Sequence, residues 1–154
     1  MTNDLSIRPV IWQDFDRWLP LWEGYNAFYG RSGPTALPLE ITHTTWDRFF
    51  DAEEPVHALV AESNGELVGL AHYLFHRSTN AIGPFCYLQD LFTSETARGK
   101  GIGRALINQV YEQAQIGGSS RVYWHTHETN LTDMQLYDKV VERSGFVVYR
   151  KQLP

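Results

Sequence analysis

A single cysteine, Cys86, in 154 residues leaves no partner for an internal disulfide and excludes a four-cysteine zinc site. A lone thiol suits a reducing compartment, so a cytoplasmic location is expected. Positive charge is scarce too. Lys and Arg number 13 against 18 Asp and Glu, a net charge of −5. General nucleic-acid binders are usually basic, so no nucleic-acid partner is expected. No apolar run approaches the roughly 20 residues that span a bilayer, so no membrane partner is expected either. The opening "MTNDLSIRPV" has no basic region followed by an apolar run, the mark of a secretory leader. Repeats and low-complexity segments are absent.

What is present is ordinary for a globular chain: 43% hydrophobic and 20% charged residues, and enough length for one real core. One domain over residues 1–154 is expected. "LSIRPV" reads as a short strand stopped near Pro9. Residues 13–28 read as a helix with Asp14 and Asp16 in its first turn, where negative charge suits the helix dipole. Trp18, Trp22, Tyr25 and Tyr29 fall on one face of it. A second helix is expected over 39–50. The period then changes. "HALVAES" and "ELVGLAHYLFH" flank Asn64-Gly65, a strong hairpin signal. "FCYLQDLFT" is a further strand. Ile102, Leu106, Val110 and Ala114 mark a helix face that ends at Gly117-Gly118. "RVYWHT" reads as a strand, 130–144 as a helix stopped by Gly145, and "FVVYRKQ" as a closing strand. The order β-α-α-β-β-β-α-β-α-β implies an α/β (α+β) fold: a mixed, mostly antiparallel sheet with helices on both faces.

The stretch "ARGKGIG" stands between a strand and a helix start. Free amides at a helix N-terminus stabilise an anion. Glycines admit a phosphate to the backbone without a Cβ in the way, and Arg98, Lys100 and Arg104 add cationic reach. A Walker A loop needs G-x-x-x-x-G-K-[ST], which is absent. A Rossmann fingerprint fails because Arg104 or Leu106 stands where its last small residue belongs. A flexible connection with solvated charges is the bland alternative.

"RGKGIG" fits R-x-x-G-x-G, four residues after "YLQDLFT". With the N-terminal strand and two helices, the Asn-Gly hairpin and "N-x-x-x-x-x-L-Y" from Asn130 to Tyr137, the chain resembles the GNAT superfamily of N-acetyltransferases over nearly its whole length. "LAHYLF…YLQDLFTSETARGKGIG" is similar to diamine and thialysine acetyltransferases. "VYWHTHETN…LYDKV…SGFVVY" is similar to fungal histone and D-amino-acid N-acetyltransferases. The resemblance implies acetyl-CoA as acetyl donor, direct transfer to a primary amine of a small molecule, and a homodimer. It places the pantetheine arm along Leu91, Phe92 and Thr93. The pyrophosphate falls on Arg98, Gly99, Lys100, Gly101, Ile102, Gly103 and Arg104. It implies that Asn130 touches the cofactor and that Tyr137 approaches the departing sulfur, where a phenol can give a proton.

One position departs from the diamine-type "YLED". Gln89 stands where a glutamate would bind substrate or relay a proton, and Gln is no base at neutral pH. Asp90 is a candidate substrate residue, but adjacent strand residues face opposite sides, so it is not expected to replace Gln89 simply. The aromatic stripe reads as core, with Trp22 and Tyr25 also candidate walls of an acceptor site, since aromatic faces attract ammonium groups. His125 with His127, and His72 with His76, lack a third ligand, so no metal is expected. Cys86 reads as packing rather than nucleophile. A protein or peptide lysine or N-terminal acetyltransferase, or a non-catalytic CoA sensor, stays open as an alternative.

Overall fold

The computed structural model describes residues 4–154. They form two compact units, one ending at Trp124 and the other His125–Pro154. The larger unit is a five-stranded sheet in the order β1-β2-β3-β4-β5. The strands are β1 (Leu5–Pro9), β2 (Val56–Ser63), β3 (Glu66–His76), β4 (Phe85–Thr93) and β5 (Val122–Tyr123). The first four run antiparallel to their neighbours, and β5 lies parallel to β4. Pro9 is tolerated because it ends an edge strand. The β2–β3 hairpin turns on Asn64 and Gly65, with φ of 53° and 80°, the two left-handed residues a type I′ turn requires.

Helices α1 (Phe15–Phe28), α2 (Leu39–Arg48) and α3 (Ile102–Ile116) complete this unit. Trp18, Leu21, Trp22 and Tyr25 from α1 and Trp46 from α2 pack with Ala58, Val60 and Leu70 of the sheet. Leu59 and Ala61 are buried as well. Pleating points them to the other side, the side α3 covers with Ile102, Leu106, Ile107, Val110 and Ala114. The continuous buried run in β2 is therefore the signature of a strand covered on both faces.

Asp14 joins β1 to the start of α1. Its carboxylate, 1% exposed, accepts from both terminal nitrogens of Arg8 at 2.7 and 3.0 Å, from Arg17 at 3.0 Å and from the Ile11 amide at 2.9 Å. Burial pushes this carboxyl up, but the Arg8, Ile11 and Arg17 hydrogen bonds outweigh it and hold it below the usual range.

The smaller unit contains α4 (Leu131–Val140). The expected helix to residue 144 ends early, at extended Val141, and Arg143 reaches back to Asp138. The expected strand "FVVYRKQ" does not form. Residues 142–154 lack helix and strand, and Phe146, Val147, Val148 and Tyr149 are exposed. The unit holds no other strand among its residues, and an extended segment needs a neighbour for its backbone groups. β5 is also shorter than the expected "RVYWHT", for a reason found in β4.

Candidate active site

Along β4, Tyr73 sits opposite Leu88 and His72 opposite Asp90, which leaves Gln89 as an extra, bulged residue. A bulge bends its strand and breaks the ladder locally. Pairing with β5 covers only Cys86 and Tyr87. From Leu88 onward, the β4 edge away from β3 has no strand partner among the described residues. Leu91, Phe92 and Thr93 lie on that stretch.

The bulge also changes which side chains meet. Cross-strand partners share a face, so Leu88 lies with Tyr73 and Asp90 with His72, on opposite sides. Gln89 and Asp90 both line one cavity of about 440 Å³, with Trp22, Arg31, Arg48 and His72 among the other walls. The expected alternation of Gln89 and Asp90 is thus interrupted by the bulge. Simple alternation fails because the extra residue resets the pleat at that point.

Asp90 is 8% exposed and His72 2%. Asp90 Oδ2 lies 2.9 Å from His72 Nδ1, and Trp18 Nε1 donates to His72 Nε2 at 3.1 Å. Tyr25 stands on the other flank. Its hydroxyl lies at 3.5 Å from the Gln89 carbonyl. Burial first, then the Asp90 charge and hydrogen bond, pushes this phenol far above its ordinary range, so it is a neutral donor. Trp22 donates to Thr42 Oγ1 and stacks on Trp18 and Tyr25. Of the aromatic stripe, Trp18, Trp22 and Tyr25 are therefore core, and Trp22 also lines the cavity. Tyr29 alone of the four is exposed.

The glycine loop leads into α3. Gly99 and Gly101 have φ of 80° and 79°, and Gly101 is the residue before the first turn. The first bond of α3 runs from the Ala105 amide to the Gly101 carbonyl, so the amides of residues 102–104 precede the intrahelical ladder. Arg98, Lys100 and Arg104 are exposed around them. Arg98 folds back over the Phe92 ring, and its Nε donates to the Thr93 carbonyl at 3.3 Å. The loop is thereby tied to the open end of β4. An exposed helix start, left-handed glycines with open space around them and three cations fit a pyrophosphate.

In the smaller unit, Asn130 begins α4 and its side chain donates to Asp133 at 2.9 Å. Tyr137 is half-buried on α4. Cys86 is fully buried and burial pushes its thiol up to about 11, which removes the thiolate that nucleophilic chemistry needs. His76 bonds to the Tyr123 hydroxyl at 2.7 Å, and His127 to Thr129. Trp18 and His72 were missed as site residues. The histidine sits in an apolar strand, and its two partners come from 54 residues before it and 18 after.

Residues 18–141 match the model of the acetyltransferase (GNAT) family. The chain belongs to that family, and its acetyl donor is acetyl-CoA. It is 34% identical over 154 residues to a D-amino-acid N-acetyltransferase of Saccharomyces cerevisiae, covering 98% of this chain and 93% of the relative. An aminoglycoside N-acetyltransferase solved with CoA superposes with a TM-score of 0.80 at 17% identity, over 99% of this chain and 97% of the other. A ribosomal-protein-alanine N-acetyltransferase of Brucella melitensis biovar Abortus gives 0.77 at 17% identity, over 97% and 99%. These confirm the mixed sheet with flanking helices.

Proposed function

We propose that the chain acetylates the primary amine of a small, amino-acid-like molecule held in the cavity between α1, α2 and β4. One observation carries this: the cavity sets a single carboxylate, Asp90, among the guanidinium-bearing Arg31 and Arg48. An ammonium group suits Asp90 and a carboxylate suits the arginines. A polyamine would meet both arginines with like charge, at a cost. The volume suits a compact ligand. The relative from yeast, by its name, acts on D-amino acids.

When bound, acetyl-CoA supplies the activated acetyl group. Leu91, Phe92 and Thr93 offer it a strand edge without a strand partner among the described residues. Arg98, Gly99, Lys100, Gly101, Ile102, Gly103 and Arg104 hold its pyrophosphate. Asn130 contacts it and Tyr137 gives a proton to the leaving sulfur. The family match runs from residue 18 to 141, which supports one functional domain across both compact units. Exposed Phe146, Val147, Val148 and Tyr149 support a homodimer. We assign the protein to the cytoplasm.

The test is thiol release from acetyl-CoA with a panel of D- and L-amino acids, putrescine, spermidine and lysine peptides. Amino acids are expected to release the most thiol. Preference for spermidine or peptides would reject the zwitterion reading. CoA binding without release by any amine would reject the enzyme.

A further inference from the structure

The cavity brings together more than a binding carboxylate. An indole N–H only donates, so His72 Nε2 accepts from Trp18 and the ring hydrogen sits on Nδ1. A hydrogen on Nε2 would face the indole N–H. From Nδ1 the ring can only donate to Asp90 Oδ2, at 2.9 Å. Trp18 is fully buried among Trp22, Trp46 and Phe49, so the donor that sets this tautomer is immobile. Tyr25, a neutral phenol, donates from α1. The groups facing Asp90 are thus His72 from β3, Tyr25 from α1 and Tyr87 on its own strand. Arg31 and Arg48 stand on the same cavity's walls.

We propose that Asp90 is the base that takes the proton from the bound ammonium, and that His72, its tautomer fixed by Trp18, is the residue that positions it. Gln89, at the position where a base is expected, is left to hydrogen-bond substrate. The inference rests on the acceptor site proposed above. An ammonium that sheds water on entering this cavity gives up its proton more readily than in bulk water. One N–H bond breaks and an O–H bond forms on Asp90, leaving R–NH2 and a carboxylic acid. Acyl transfer then forms the N–C bond and breaks the C–S bond. The second nitrogen proton ends on the thiol sulfur, and Asp90 returns its proton to water.

Asp90→Asn keeps the size and loses the base. With the panel amine that releases most thiol, kcat/KM at pH 7 is expected to fall at least 100-fold. Without a base the variant must use free amine, so its deficit should shrink about tenfold per pH unit toward the amine's own pKa. A deficit constant from pH 7 to 10, or none, overturns the assignment. For His72, the Asn variant keeps a donor near Nδ1 and should lose less than His72→Leu, which should resemble Asp90→Asn in its pH profile. Equal losses in both would overturn the positioning role. Nitrogen-15 spectra of the unmodified protein, without acetyl-CoA, should show hydrogen on Nδ1 of His72 and a bare Nε2. The opposite tautomer would overturn it even if every variant misfolds. Thiol release with wild type but pH-independent loss in Asp90→Asn rejects only the base. No release with any amine rejects the acceptor site, and the base with it.

Discussion

Replacing Gly101 separates two reasons for a glycine in the loop. Its φ of 79° lies in the left-handed region, and a Cβ added there would meet no atom within 4 Å. No clash inside the protein is predicted, so the folding cost is conformational. For an ordinary side chain it is about 1–2 kcal/mol. Asn visits this region readily, so Gly101→Asn should unfold within a few degrees of wild type. Ligand binding is a different matter. The new side chain would project beside the amides at the start of α3. Losing one amide contact to a charged phosphate oxygen costs about 1.5–3 kcal/mol, or roughly 10- to 150-fold in Kd. Titration calorimetry with CoA beside thermal unfolding reads both quantities. Gly101→Asn should keep its Tm and bind CoA at least tenfold more weakly, while Gly101→Val should lose on both counts. If Gly101→Asn binds CoA like wild type, the loop is not the pyrophosphate cradle.

Asp14→Ala should destabilise by about 3 kcal/mol, the low end for breaking a buried pair. Arg8 and Arg17 are 25% and 44% exposed and can rehydrate. At this size that lowers Tm by about 6–12 °C. Because the folded-state value of Asp14 is depressed, its contribution is full above the unfolded value of about 3.9 and fades as pH falls through the folded one. Urea melts from pH 7 downward should show the two proteins converging in acid; a constant gap would refute the ion-pair account. Tyr137→Phe should cut kcat about 100-fold with CoA affinity unchanged, and wild-type turnover would remove its role as proton donor.

Much of this protein could be read from local pattern. Asn64-Gly65 dictated its hairpin through backbone preference alone, and the 3–4 spacing of Trp18, Trp22 and Tyr25 dictated the buried face of α1. Spacing also excluded two phosphate loops at "ARGKGIG", because a loop's fit to phosphate depends on few consecutive residues. "FVVYRKQ" shows the limit. β-Branched and aromatic residues favour a strand, but a ladder needs a neighbouring backbone, and its own unit supplies none. The sharpest case is Gln89 beside Asp90. Nothing local marks the bulge, since Gln89 is neither glycine nor a residue with unusual φ. Only the register of β4 against β3 turns Asp90 onto His72 and the cavity. Sequence alone determined the family, the core helix and the hairpin turn. Tertiary structure decided which carboxylate lines the cavity and which histidine nitrogen meets it, because those depend on partners 18 and 54 residues apart along the chain.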